Sequence, residues 1–301
     1  MKETQSHGHH VHPEKATNAS GKIHEISDTA FWVSAYRAKE SKRFDALFVD
    51  PYAETLAGEK GKRIANRVSD SRYAEWTVVI RTRVIDEIIQ SFVENHLGMV
   101  VNVGAGLDTR PYRLSLPESL LWVEIDHPHV IQFKEEKLMH EKPLCEVIRI
   151  GLDLSHETER KKLFSELNGE NGRSLVLTEG VIPYLTEDQV SSLAKDLYEQ
   201  SNFHHWIVEY HAKEMYRHLR GKRKDEEMGG SPFRFFPQEW IPFFENHGWA
   251  KKDLFYLGEE GKNLGRPFPI PTWAKVLQPL IPKRERDKLL KMSGFLLLEK
   301  K

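Results

Sequence analysis

The chain has 301 residues, of which 39% are hydrophobic and 30% charged, and 44 Lys and Arg against 45 Asp and Glu leave a net charge of -1. This length suffices for one large domain with a sizeable core, and the near-neutral charge does not favour nucleic acid or an acidic membrane as a partner. No apolar run approaches about 18 residues and the amino terminus lacks the apolar core of a secretory signal, so we expect a cytosolic protein without a membrane span. The single cysteine, Cys145, agrees with a reducing compartment and is expected to be inert.

The amino-terminal quarter is predicted to be a tail followed by helices. Residues 1–22 are polar and rich in His, Ser and Gly, which predicts a flexible tail. Its histidines could chelate a metal, but a flexible tail offers no closed coordination shell, so no metal site is expected. Apolar residues at spacings near 3.6 predict helices over 23–50 and 71–95, within a helical region spanning 23–97.

Seven strands are predicted in the remainder of the chain. They lie at 100–103, 121–125, 146–150, 174–178, 203–210, 249–257 and 293–299. The first five alternate with helical segments, which is typical of a parallel α/β sheet. We assign the stretch 98–210 to a ligand-binding core, 211–275 to a lid and substrate region, and 276–301 to a final helix and strand.

The first strand runs directly into Gly104-Ala105-Gly106. Glycine after a buried strand lets backbone amides come close to a ligand at the carboxyl ends of a parallel sheet. Because Gly-x-Gly is common, a glycine turn without any ligand is an equal alternative on this motif alone. Asp126 ends the second strand about 20 residues further on, where an aspartate accepts hydrogen bonds from a ribose diol and repels a ribose phosphate.

Acidic residues also follow the third and fourth strands. Asp153 and Leu154 occupy a place where a carboxylate can accept from an adenine amino group while the next backbone amide donates to a ring nitrogen. An N-cap role for Asp153, before a helix beginning at Glu157, is an equally good local interpretation. Glu179 follows the fourth strand and reaches the same edge of the predicted sheet.

The region after the fifth strand is charged and then aromatic. Its charged part, from residue 211 to about 235, predicts an insertion or lid. The following aromatic residues could wall an apolar pocket, although helical spacing favours core packing. Candidate proton acceptors near the fifth strand are more readily explained as structural or solvated groups, so no catalytic base is named; they are His204, His205, Tyr210 and His211.

Several motifs follow one another in order along the first two thirds of the chain. They are Arg81-Thr82-Arg83 with Asp86, VVNVGAGLDTRPYRL at 100–114, VEIDHP at 123–128, Asp153-Leu154, and TEGVIPYL at 178–185. These motifs resemble those of the leucine carboxyl methyltransferase family, which includes the tetracenomycin polyketide O-methyltransferases. The resemblance begins weakly at residues 36–38 and 50–52 and has no counterpart in the carboxyl-terminal third.

The resemblance implies a fold, a cofactor and a set of site residues. The fold is a seven-stranded, mostly parallel, doubly wound Rossmann-like sheet of the class I methyltransferase type, with an amino-terminal helical extension and a lid. The cofactor is S-adenosylmethionine. The implied binding residues are Arg81 with help from Arg37 for the methionine carboxylate, Gly104, Ala105 and Gly106 for close approach, Asp126 for the ribose, Asp153 and Leu154 for the adenine, and Glu179 for the methionine ammonium or sulfonium region.

The function implied is O-methylation of a small organic molecule at a carboxylate or hydroxyl group, with a polyketide-like or phenolic acceptor. Tyr184, which follows the fourth strand, is a candidate for the substrate pocket. The competing hypothesis is a protein that binds S-adenosylmethionine without turnover, as a ligand sensor or partner-binding module. A nicotinamide-dependent oxidoreductase is disfavoured because Thr109 stands where the last glycine of GxGxxG would fall. The oligomeric state is left open.

Overall fold

A seven-stranded sheet organises the part of the chain described by this computed structural model, namely residues 26–66, 71–169, 172–219, 232–270 and 282–301. Its strands are β1 (Met99–Val103), β2 (Leu121–Asp126), β3 (Glu146–Gly151), β4 (Ser174–Leu177), β5 (Phe203–His211), β6 (Trp249–Tyr256) and β7 (Ser293–Lys300). The seven strands predicted from apolar runs are therefore confirmed, each boundary to within one residue.

The strand order is β3-β2-β1-β4-β5-β7-β6. β7 pairs antiparallel with β5 and β6, whereas the other four pairings are parallel. The order reverses between β1 and β4, which creates the crevice where open α/β sheets bind ligands. Val103 pairs with Ile125, and Asn102 with Leu177, so the carboxyl ends of the central strands meet at one edge.

Helices connect the strands and precede the sheet. Within the described residues they are α1 (Ile26–Ser41), α2 (Ala53–Ala65), α3 (Ser71–Val93), α4 (Arg110–Arg113), α5 (Pro128–Leu138), α6 (Glu157–Leu167), α7 (Glu187–Tyr198), α8 (Tyr216–Leu219), α9 (Trp240–Glu245), α10 (Leu257–Asn263) and α11 (Lys283–Leu290), with 3-10 turns at Ile182–Tyr184 and Lys213–Met215. No helix among them is both long and apolar enough to cross a membrane.

Two apolar cores lie on opposite faces of the sheet. Side chains alternate along a strand, so neighbouring residues of β1 enter different cores. Val101 packs in a core with Trp206 and Phe244, whereas Val100 packs in the second core with Ile80 and Trp122. Burial on both faces explains why the central strands read as continuous apolar runs.

The predicted first helix is too long at its carboxyl end. α1 ends at Ser41, because side chains of its last turn accept hydrogen bonds from backbone amides of the segment that follows. The Glu40 carboxylate accepts from the Leu47 amide at 2.8 Å, and the Ser41 hydroxyl accepts from the Asp50 amide at 2.8 Å. Phe44, whose spacing suggested an apolar helix face, is fully exposed instead.

Parts of the predicted organisation lie outside the described residues. These are the tail at 1–22, the centre of the predicted lid at 220–231, and most of the proline-rich connection at 271–281. Within the predicted lid and substrate region, the described residues include β6, which belongs to the sheet. The division into core, lid and final segment stays a prediction.

Candidate active site

Five predicted site residues lie in a row along the carboxyl edge of the sheet. Asp153 and Leu154 follow β3, Asp126 ends β2, Gly104 follows β1, and Glu179 follows β4. Because β3, β2, β1 and β4 are consecutive neighbours in the sheet, these groups occur in the same spatial order. The strands thus present two carboxylates, a glycine turn and a third carboxylate along one edge of the sheet.

The turn after β1 requires glycine at its first position. Gly104 has a φ of +73° and donates its amide hydrogen to the carbonyl of Ile125 at 2.7 Å. A Cβ at this position would lie 2.3 Å from Cγ2 of Val181, which packs directly over the turn. The amide of Ala105 bonds the same carbonyl at 3.1 Å, and Gly106 also has a positive φ, of +47°.

Asp126 is held by backbone donors on both of its oxygens. Its Oδ2 accepts from the Gly106 amide at 2.6 Å and its Oδ1 accepts from the His127 amide at 2.7 Å. A carboxylate offers about four lone-pair positions, so each oxygen retains one acceptor position beyond these bonds. The half-buried side chain is therefore oriented in advance to accept from two further hydroxyl donors.

Asp153 forms a local turn rather than a helix cap. Its Oδ1 accepts from the Ser155 amide at 2.9 Å, and this bond lowers the pKa of the carboxyl group. The N-cap residue of α6 is His156, which makes no side-chain capping bond, so the N-cap interpretation of Asp153 is wrong. Leu154, beside it, is half-buried and packs against the core.

Glu179 lies between two arginines. Its Oε2 accepts from Nη1 of Arg110 at 2.8 Å, and its Oε1 lies 2.9 Å from Nε of Arg81. The Arg81 Nε–H does not point at that oxygen, and this buried atom has no hydrogen-bond partner among the described residues. Burial would raise the pKa of Glu179, but Arg110 and Arg81 together hold it below its usual range.

Arg81 and Arg83 occupy different environments on the same helix. The Arg83 side chain is 39% exposed and pairs with Glu87 at 2.7 Å, as expected of a solvated helix face. The Arg81 side chain is 17% exposed and turns toward the sheet edge. Arg83 therefore belongs to the solvated face of the helix, whereas Arg81 belongs to the buried face beside the sheet edge.

Arg110 is a buried hub that the sequence analysis did not single out. Its exposure is 2%, and its guanidinium reaches Asp86 at 2.7 Å, Asp108 at 3.0 Å and Glu179 at 2.8 Å. It thereby joins α3, the segment after the glycine turn and the end of β4. Its presence in the LDTRPYR stretch of the family-like motif was the available signal.

Arg37 anchors the chain that follows the glycine turn. Its Nε donates to Asp50 Oδ2 at 2.8 Å and its Nη2 donates to the carbonyl of Leu107 at 2.6 Å. Thr109 donates its hydroxyl hydrogen to the same Asp50 oxygen at 2.7 Å. The structure thus brings Arg37 to the backbone of the turn segment, while Arg81 meets Glu179.

The remaining candidate residues divide between the site and the core. Tyr184 follows β4 in a 3-10 turn, hydrogen-bonds the side chain of Thr29, and has its ring centroid 5.1 Å from that of Phe233. Phe235, Trp240 and Phe244 are buried in the core, so packing explains these members of the aromatic segment.

The histidines considered as proton acceptors are structural or remote from the carboxyl edge. His204 and His205 lie near the start of β5, which is the opposite end of the strand. His211, at the other end, packs edge-on against Trp240 with centroids 5.6 Å apart. Among the described residues, no cluster of three or more His, Cys, Asp or Glu side chains is arranged to hold a metal ion.

The family model described as leucine carboxyl methyltransferase matches residues 30–198, more than half of the chain. The chain belongs to the leucine carboxyl methyltransferase family. The matched stretch contains every residue of the carboxyl-edge row, together with Arg37, Arg81 and Arg110. The resemblance inferred from the sequence motifs is therefore confirmed.

Curated relatives of this family member carry names that assign them to the S-adenosyl-L-methionine-dependent methyltransferases. A Streptomyces coelicolor relative is 32% identical over 187 residues, covering 58% of this chain and 64% of its own, so the match spans just under two thirds of that protein. A relative from Mycobacterium sp. strain KMS is 28% identical over 269 residues, covering 81% of this chain and 89% of its own.

Two crystal structures share the fold along nearly the whole chain. A methyltransferase structure from Thermobifida fusca matches with a TM-score of 0.55 at 12% identity, covering 94% of this chain and 97% of its own. A DUF574 family protein from Streptomyces avermitilis matches with a TM-score of 0.53 at 11% identity, covering 93% and 98%. The predicted Rossmann-like, doubly wound sheet is thereby confirmed.

Proposed function

We propose that this family member is an O-methyltransferase that uses S-adenosylmethionine to methylate a carboxylate or hydroxyl group of a small organic molecule, polyketide-like or phenolic. Methyltransferase activity and the cofactor follow from the family and from its named relatives. The acceptor class and the binding role of each residue are our inference. The single observation that carries this inference is the order of groups along the carboxyl edge of the sheet.

That order corresponds to the order of parts in the cofactor. Asp153 and Leu154 would take the adenine, and the oriented Asp126 carboxylate would accept from the ribose diol. The Gly104-Ala105-Gly106 turn, which bears no side chain beyond a methyl, would admit the methionine chain close to its backbone beside Val181. Glu179 then lies at the amino acid end of the crevice. A nucleoside joined to an amino acid fits this order of one apolar contact, two carboxylates, a turn without large side chains and a third carboxylate.

The charges at the amino acid end fit a zwitterion. Arg81 and Glu179 lie side by side, and the buried Arg81 Nε has no hydrogen-bond partner among the described residues. A ligand carboxylate can take a bidentate contact from a guanidinium, and a ligand ammonium can donate to the glutamate. Arg110 holds Glu179 from its other side, so the carboxylate stays in place when a ligand engages Arg81.

Methyl transfer mainly requires that the nucleophile, the methyl group and the sulfur be aligned. When bound, S-adenosylmethionine supplies an electrophilic methyl group on a sulfonium, which an in-line nucleophile accepts. This chain's residues would orient the cofactor at three points and exclude water from the crevice. A carboxylate acceptor, with a pKa of about 4, is ionised at neutral pH and needs no base, whereas a phenol with a pKa near 10 gains from one.

Tyr184 and Phe233 are proposed to form a wall of the acceptor pocket. They contact each other beside the 3-10 turn that follows β4, close to the amino acid end of the crevice. An aromatic wall accommodates a flat apolar acceptor such as a phenol or a polyketide ring.

Calorimetric titration with S-adenosylmethionine and its demethylated product, S-adenosylhomocysteine, tests the site. We expect both ligands to bind, and Asp126→Asn or Arg81→Ala to weaken binding by roughly 10- to 100-fold, the worth of a lost charge-assisted hydrogen bond. Arg83→Ala is the matched control, since this arginine lies two residues away on the exposed side of α3 and should leave affinity unchanged.

Failure of a folded protein to bind either ligand would refute the proposed site. Once binding is shown, a panel of carboxylates and phenols identifies the acceptor by release of S-adenosylhomocysteine. Tight binding without turnover on any acceptor of either class would instead favour the alternative of a ligand-binding protein.

A further inference from the structure

Glu209, at the carboxyl end of β5, is a buried carboxylate without an assigned role. Only 5% of it is exposed, and its Oε1 accepts hydrogen bonds from the consecutive backbone amides of Gly180 and Val181, the latter at 3.3 Å. Its Oε2 is buried with no hydrogen-bond partner among the described residues. An unsatisfied buried carboxylate oxygen is costly, so its presence in a native site calls for a reason.

The turn held by Glu209 belongs to the proposed cofactor site. Glu179 precedes Gly180 in this turn, and Val181 follows it and packs over Gly104. Gly180 adopts a φ of +76°, which lets the two amides of the turn point back at the Glu209 carboxylate. The negative charge of Glu209 therefore lies directly behind the amino acid end of the crevice.

The other charges at this end of the site balance one another. Four arginines are paired with four carboxylates: Arg37, Arg81, Arg110 and Arg113 with Asp50, Asp86, Asp108 and Glu179. No lysine or arginine in the described part of the chain forms an ion pair with Glu209. Its ionised form thus gives this end of the site one negative charge that no paired arginine balances.

Titratable groups on three elements face Glu209. Arg81 faces it from α3, Glu179 from the end of β4 and Tyr184 from the 3-10 turn, while its pairing partner on β7 is the apolar Phe295. Burial raises the pKa of Glu209 to about 7, against the opposing effect of the backbone hydrogen bonds and Arg81. Glu209 therefore gains or loses its proton, and so changes its charge, near neutral pH.

The cofactor and its product differ by one positive charge. In S-adenosylmethionine the ammonium and carboxylate cancel and the sulfonium leaves a net charge of +1, whereas S-adenosylhomocysteine is neutral overall. We propose that Glu209 is a specificity-determining residue that makes the site prefer the charged cofactor to its neutral product, and so limits product inhibition. The proposal rests on the cofactor site described under the proposed function.

The test compares the two ligands in one protein. Dissociation constants for S-adenosylmethionine and S-adenosylhomocysteine are measured by calorimetry at pH 8 for the wild type, Glu209→Gln and the control Glu214→Gln. Glu214 is an exposed glutamate five residues along the chain. We expect Glu209→Gln to reduce the preference for the charged ligand by roughly three- to tenfold, as one screened charge pair would, and Glu214→Gln to leave it unchanged.

A pH series provides a second measurement, in which the expected change is first seen in the wild type. Between pH 8 and pH 6 the wild-type preference for S-adenosylmethionine should fall as Glu209 takes up a proton. Glu209→Gln should not show this fall. Any pH dependence that remains in the variant comes from ionisation of the ligands themselves and is subtracted from that of the wild type. Equal preference in the wild type and Glu209→Gln at all pH values would overturn the proposal while leaving the cofactor site intact, whereas absence of binding by both ligands would refute the site itself.

Discussion

At the scale of single residues, backbone conformation and one neighbouring methyl group both disfavour a side chain at Gly104. Gly104 cannot be replaced for two separable reasons, a φ of +73° and the presence of Val181 Cγ2 at 2.3 Å from any added Cβ. Gly172 shares the φ of +73°, but among the described residues, its chain neighbours aside, no atom lies within 4 Å of such a Cβ. The two positions therefore separate backbone strain from steric overlap in one protein.

We predict that Gly172→Ala destabilises the fold by about 1–2 kcal/mol, the cost of a left-handed conformation for an L residue. Gly104→Ala should cost more and should also weaken S-adenosylmethionine binding, because Val181 must move into the crevice. Urea unfolding and calorimetry measure the two effects. Gly104→Ala combined with Val181→Ala should recover part of the loss, and equal stability of the two single variants would contradict the overlap.

At the scale of elements, α3 joins the amino-terminal helices to the sheet edge through charge. Asp86 is 4% exposed and receives bonds from Arg110 at 2.7 Å and from Arg113 at 2.6 and 2.9 Å. Its neighbour Glu87 is exposed and meets only Arg83 by an ion pair in the described part of the chain. Two adjacent carboxylates on one helix therefore differ in their environment: Asp86 is buried, whereas Glu87 is exposed to solvent.

Removing the charge of Asp86 should lower the free energy of unfolding far more than removing the charge of Glu87. Asp86→Asn leaves two buried guanidinium groups without their shared partner, so we expect a loss of about 3–5 kcal/mol in the free energy of unfolding. Glu87→Gln removes an exposed pair worth about 0.3–0.5 kcal/mol. Comparable losses for the two variants in urea unfolding would show that the arginine network does not stabilise the junction.

The pH dependence of stability belongs to the whole molecule. Burial lowers the pKa of His205 and His211 to about 4, so an unfolded chain takes up protons on both from about pH 6.5 downward while the folded chain does not. Glu209 acts in the opposite direction, because its raised pKa of about 7 gives stability below pH 4.5 that is lost as the pH rises through 7. Two histidines against one glutamate leave the unfolded state binding about one more proton.

Stability should therefore fall as the pH is lowered from 6.5 toward 4.5, with the slope of roughly one net proton. Below that range Asp50, whose pKa is lowered by Arg37 and Arg113 against the effect of burial, adds a further loss. His211→Gln should flatten the slope between pH 6.5 and 4.5 in urea unfolding series, whereas exposed His140→Gln serves as the control. A slope unchanged by His211→Gln would show that this histidine is not kept neutral by the fold.

The number of strands, their positions along the chain and the family were determined by the sequence alone. Apolar runs bounded by glycine and acidic residues specify buried parallel strands locally, and motifs such as VVNVGAGLDTRPYRL carry the family signature in consecutive residues. Asp126 and Glu179 could be identified for the same reason, since each lies at the carboxyl end of a strand or within two residues of it. These features depend on neighbours along the chain.

Only the tertiary structure decided which charges meet. Arg110 joins residues 24 positions before it and 69 after it, and Glu209 bonds a turn about 29 positions away. The end of α1 also depended on side chains that capture backbone amides across a loop, where helical spacing predicted continuation. Local patterns report burial and periodicity, whereas pairing between buried charges is fixed by packing of distant segments, and no single segment encodes it.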